Sequence, residues 1–70
     1  MKLYTQDRER IIEMPREIWV TTYSGRSGIF STSLEPQLAE YKTEGRAKVV
    51  LAELFDYYRN GKNSYALPKE

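Results

Sequence analysis

The sequence predicts an α+β domain: a twisted antiparallel sheet of about four to five short strands with one C-terminal amphipathic helix packed on one face. Three observations carry that reading. Between Thr43 and Gly61, the residues Ala47, Val50, Leu51, Leu54, Phe55 and Tyr58 recur at helical spacing and gather on one broad apolar face. Upstream of them, short runs of β-branched and aromatic residues alternate with turn-forming clusters. Finally, the 70 residues contain no internal repeat, low-complexity tract or linker, so residues 1–70 form a single domain.

The first expected strand, Lys2 to Gln6, is short and rich in β-formers, and Asp7-Arg8 turns the chain into a second, Glu9 to Met14, carrying Ile11 and Ile12. Pro15 closes that strand because it cannot donate to a ladder. Glu17 to Tyr23 is the strongest strand, since every residue after Glu17 is β-branched or aromatic. Ser24 to Gly28 reads as a hairpin loop leading into Ile29 to Ser33, and Glu35-Pro36 turns the chain again into Gln37 to Lys42. Thr43 is placed to cap the helix, Glu44 favours the positive end of its dipole, and Asn60-Gly61 supplies a left-handed stop. Ser64 to Leu67 has the composition of a last short edge strand, ended by Pro68.

Composition narrows the function classes. A chain this short buries only about 60% of the surface its unfolded form exposes. With no cysteine and no histidine, disulfides, thiolate sites and the commonest general base and metal ligand are all missing. Catalysis is therefore not expected, nor is any cofactor, and homodimerisation is the simplest remaining stabiliser. Eleven basic and ten acidic side chains nearly cancel and are spread through both halves, which argues against a polybasic nucleic-acid tail. No apolar run approaches the roughly 20 residues that span a bilayer, and the N-terminus lacks the apolar core of a signal peptide. The expected location is the cytoplasm, with no membrane partner.

Leu3-Tyr4-Thr5-Gln6-Asp7, Met14-Pro15-Arg16-Glu17, the stretch Leu38 to Ala47 and the following Val50-Leu51-Ala52-Glu53-Leu54 together resemble a group of small proteins from Gram-positive bacteria and their phages. Members share a strand, a Gln-Asp turn, a strand ending in a Pro-Glu segment, a variable hairpin and a Leu-x-x-Tyr-x-Thr-x-x-x-Ala lead-in to an amphipathic helix. The resemblance spans most of the chain. Where the group usually has glycine after the Gln-Asp turn, this sequence has Arg8. The resemblance implies a phage or prophage origin and no assigned activity.

Among the charged residues, Asp7, Glu9, Glu13 and Glu17 alternate with Arg8, Arg10 and Arg16, the pattern of a solvated sheet edge rather than of an acid/base pair. Ser24 to Gly28 offers backbone N–H groups, hydroxyls and Arg26 to an anion, but lacks the lysine and following helix of a phosphate-binding loop. It is therefore expected to be a tolerant hairpin tip, with Arg26 freely replaceable. The strand Glu17 to Tyr23 places Ile18, Val20 and Thr22 on one side and Trp19, Thr21 and Tyr23 on the other, and only one side can meet the helix. If the aromatic side does, Trp19 is core. If the aliphatic side does, Trp19 and Tyr23 lie open, either to a protein partner or, with Arg10, Arg16 and Arg26 pairing phosphates, to stacked bases. Val49 lies off the helix's apolar arc and is a further candidate contact. The leading expectation is a small binding protein acting through a sheet face or edge, as a homodimer or with an unidentified protein. The alternative is a nucleic-acid or nucleotide binder.

Overall fold

The computed structural model describes all 70 residues and is an α+β fold. Strands β1 (Lys2–Tyr4), β2 (Ile11–Glu13), β3 (Ile18–Tyr23), β4 (Arg26–Ser31) and β5 (Gln37–Tyr41) precede helix α1 (Glu44–Arg59), and β6 (Ser64–Ala66) follows it. The strands divide into two three-stranded sheets instead of one, in the orders β2-β1-β6 and β3-β4-β5. The break falls at the Met14-Pro15-Arg16-Glu17 segment, where proline stops β2 and the chain moves away before β3 begins. The last strand occupies an edge, as expected, but lies parallel to β1, because the helix returns the chain to the start of the first sheet.

The second sheet is a meander. Ser24 (φ 47°) and Gly25 (φ 73°) both take left-handed backbone between Tyr23 and Arg26, the signature of a two-residue type I′ hairpin turn. The loop is thus shorter than Ser24 to Gly28: Ser27 and Gly28 are buried strand residues, and β4 starts three positions earlier than its apolar content suggested. A bulge between Ile29 and Phe30 makes Ile29 face Ala39 and Phe30 face Gln37, with Leu38 as the extra residue on β5.

The core is a cluster of Leu3, Ile29, Leu38, Ala39, Tyr41, Ala47, Val50, Leu54, Tyr65 and Leu67, joining both sheets to the helix. Helix α1 begins as its sequence dictates: the Thr43 hydroxyl accepts the Arg46 N–H at 3.1 Å, and Gly61 holds φ 72° after the Asn60 cap. Its buried stripe is narrower than its apolar stripe. Ala47, Val50 and Leu54 are buried and Leu51 is half-buried, but Phe55 and Tyr58 stand exposed, because a sheet of three strands is too narrow to cover the whole arc. Tyr57, at the border, stacks edge-on against Tyr65 at 4.8 Å, whose hydroxyl donates to Glu53. The buried Tyr41 hydroxyl donates to the Pro68 carbonyl at 2.6 Å, and burial pushes its pKa up to about 12.

Candidate interaction face

The helix covers the aliphatic side of β3. Ile18 and Val20 pack against the core, and Trp19 is turned outward with 41% of its surface exposed. The core reading of Trp19 is thereby overturned. The outer face of the second sheet collects Trp19, Thr21 and Tyr23 from β3, Arg26, Gly28 and Phe30 from β4, and Gln37 and Glu40 from β5, as the alternation and register require. Gly28 is essential to that surface. A Cβ there would come within 2.6 Å of the Phe30 ring and 3.1 Å of the Tyr23 ring, and these two rings meet edge to face at 5.9 Å across the gap glycine leaves.

A polar chain runs beside the rings. Gln37 Nε2 donates to the Tyr23 hydroxyl at 2.6 Å, that hydroxyl donates to Glu40 at 2.7 Å, and Arg26 pairs with the other Glu40 oxygen. The Tyr23 hydrogen bond, and after it that of Arg26, holds the Glu40 carboxyl below its ordinary pKa, while the same bond to Glu40 raises that of Tyr23. Arg26 is therefore an anchored half of an ion pair, not the free residue of a mobile tip.

The remaining candidates are dispersed. Arg10 pairs with Glu35 at 3.2 Å and donates to the carbonyls of Glu35 and Gln37, bracing the β4–β5 connection. Arg16 sits on the opposite flank, at the rim of an open apolar cleft of about 470 Å³ lined by Met14, Pro15, Ile18, Leu51 and Phe55, with Lys48 on the helix side. Val49, 57% exposed, points away from both sheets. Trp19, Tyr23 and Arg26 alone share one face. No three carboxylates converge in the arrangement a metal ion would need, and no helix is long and apolar enough to cross a membrane.

The two long edges of this sheet are treated differently, which periodicity could not reveal. On β5, the Gln6 side chain acts as a short substitute strand: its Oε1 accepts the Glu40 N–H at 2.8 Å, and its Nε2 donates to the Glu40 carbonyl at 2.8 Å. The Gln6 backbone N–H adds a bond to the Leu38 carbonyl at 3.1 Å, and Nε2 reaches on to the Pro68 and Lys69 carbonyls. On β3 nothing comparable occurs. The tight turn makes Tyr23 and Arg26 a hydrogen-bonded pair, so Trp19, Thr21 and Tyr23 bond to β4, and the N–H and C=O groups of Ile18, Val20 and Thr22 point away from the sheet. No strand pairs with that edge.

Comparison with family models, with curated proteins and with solved structures gave no match. The site's capability therefore follows from its geometry: an exposed tryptophan, an aromatic pair, an internally neutralised arginine and an open strand edge on one flank.

Proposed function

We propose that this chain is a small binding protein of phage or prophage type that carries out no chemistry of its own and docks a protein partner on the β3 flank of its second sheet. The observation that carries the reading is the coincidence there of the outward Trp19 with the unpaired edge of β3. Such an edge offers backbone hydrogen bonds, and the tryptophan beside it offers apolar area. The nucleic-acid alternative needs several cations free to meet phosphate, yet Arg26 and Arg10 are both committed to carboxylates, which leaves Arg16 at the cleft rim as the one unpaired arginine of the three.

The test is photo-crosslinking in a bacterial cytoplasm, with Trp19 replaced by a photo-reactive phenylalanine derivative in the full chain and the same replacement at Val49 as a control. Adducts to polypeptide from position 19 but not 49 are expected. Since Trp19 is the single tryptophan, its emission also reports ligand directly. Steeply salt-dependent quenching by single-stranded DNA, or adducts to nucleic acid alone, would overturn the proposal.

A further inference from the structure

The open edge has features that specify what covers it. Within β3 there is no charge, no proline and no bulge, three of the devices by which a strand edge is ordinarily blunted. The other edges of the molecule are all managed: β5 is sealed by Gln6, while β2 and β6 are only three residues long, and β2 carries Glu13 paired to Lys2. The bare edge is also the strand richest in β-branched and aromatic residues, which is the composition that pairs best in a ladder.

We infer that this edge is covered by β3 of a second copy of the chain, running antiparallel about a two-fold axis through Val20, so that two meanders join into one continuous sheet. The inference rests on the protein-docking reading above and names its partner. In that register Val20 faces Val20, and Ile18 faces Thr22 of the second copy and the reverse. These are the three residues whose N–H and C=O groups point outward, so every free group finds a complement. On the outer face Trp19 lies opposite Thr21 of the second copy, an aromatic against a β-branched residue in a close, non-hydrogen-bonded pair. No like charges meet along the strand, because it has none.

Charge complementarity extends to the helix side. The Thr22 hydroxyl donates to Glu44 at 3.1 Å, so Glu44 is fixed beside Thr22. With Thr22 of the second copy opposite Ile18, that Glu44, which pairs with Lys48 of its own chain at 3.3 Å, is brought to the cleft that Ile18 lines, whose rim carries the unpaired Arg16. The apolar floor of the cleft, with Phe55 56% exposed, lies on the same flank. A standard interface removes about 800 Å² from each partner, about one sixth of this chain's 4694 Å² surface, and the strand edge, Trp19 and the cleft together span that flank. A two-fold axis lets one patch serve both copies.

The purified full chain tests this by hydrogen exchange and light scattering. The scattering mass should approach twice the 8.2 kDa of the chain at high concentration and change little with moderate salt. The amides of Ile18, Val20 and Thr22 should exchange at least about tenfold more slowly in concentrated than in dilute solution, because only the dimer protects them. Thr22→Pro removes one outward N–H and leaves the backbone ladder to β4 in place, but it also loses the hydroxyl bonds to Ser27 and Glu44, so Thr22→Val, which loses the hydroxyl alone, is the control. Thr22→Pro should raise the dissociation constant about tenfold or more above that of Thr22→Val with the far-UV spectrum retained. A monomer at every concentration, a dimer whose three amides exchange as fast as in dilute solution, or a Thr22→Pro chain that folds and associates as tightly as Thr22→Val would each overturn the inference. Crosslinks from position 19 to another polypeptide would then leave the docking reading standing, whereas no polypeptide adduct from position 19 would remove both.

Discussion

Replacing Gln6 with glutamate changes one NH₂ to an oxygen and tests the seal on β5. The Gln6 Nε2 donates to the Glu40 carbonyl at 2.8 Å and the Lys69 carbonyl at 3.0 Å, with the Pro68 carbonyl at 3.3 Å. In Gln6→Glu the accepting oxygen keeps its bond from the Glu40 N–H, but a carboxylate oxygen now faces three carbonyls. Two lost bonds at about 1 kcal/mol each, plus about 1–3 kcal/mol for polar groups left facing one another, give a destabilisation of about 3–5 kcal/mol. For 70 residues total stability is about 4–10 kcal/mol, so the variant loses about half of it, and its midpoint should fall by roughly 15–30 °C. The assay is thermal unfolding at neutral and at acid pH. The folded state raises the pKa of the new carboxyl, since only its protonated form can donate to the carbonyls. The penalty is therefore present above that pKa and fades as pH falls below it, so the gap to the parent should narrow in acid. A neutral-pH midpoint within a few degrees of the parent, or a gap unchanged by acid, would refute the seal.

Leu54, buried at the centre of the helix contact, should cost about 2–5 kcal/mol when cut to alanine, visible as a large fall in the chemical-denaturation midpoint. Arg8 holds φ 63° while its Nη1 donates to the carbonyls of Thr5 and Leu67; Arg8→Ala keeps the strain and loses the bonds, so Arg8→Gly should be the more stable of the two by about 1 kcal/mol in the same assay. Asp7, held below its ordinary pKa by the Glu9 N–H and Thr5 hydroxyl, and Glu40, held down by Tyr23 and Arg26, bind fewer protons folded than unfolded. Their contribution is complete above the ordinary carboxylate range and is lost as pH falls through their lowered values, so melting temperature should drop progressively in that acid window and not between pH 6 and about 8.

The helix was legible because three independent signals coincide over Thr43 to Gly61: apolar periodicity, a capping threonine and a terminal glycine. The strand Ile18–Tyr23 was legible for a similar reason, a run of β-formers ended by the turn-forming Ser24-Gly25, although the loop was read as reaching Gly28. What the sequence left undecided is where one face outweighs another only slightly. Ile18 and Val20 against Trp19 and Tyr23 are both apolar sets, so alternation alone cannot say which meets the helix. In β4 the inward Ser27 and the outward Gly28 read as loop, although Ser27 is buried and shares a hydrogen bond with Thr22. The division into two sheets was hidden because it depends on contacts remote in sequence. Gln6 bonds Glu40, Pro68 and Lys69, and a single side chain acting on distant backbone leaves no periodic trace. The one local signal was the Gln6-Asp7 turn, after which Arg8 takes a left-handed conformation that glycine would adopt without strain.

The treatment of strand edges connects these points. A small domain with ten core residues gains little from its interior, and each unpaired edge is a site where another chain can add. This chain commits a glutamine to one edge of its principal sheet and draws its C-terminal segment over the same side, through Gln6 to Pro68 and Lys69 and through Tyr41 to Pro68. The opposite edge has six residues, none of them charged, and has Trp19 outside and an apolar cleft alongside. Lysine at Thr21 would blunt that edge without entering the core, since Thr21 is exposed, so nothing in the packing of the monomer requires the edge to be bare. Its openness follows instead if pairing there is what the fold is arranged to permit, with the sealed β5 edge ensuring that association stops at two copies and does not continue strand by strand.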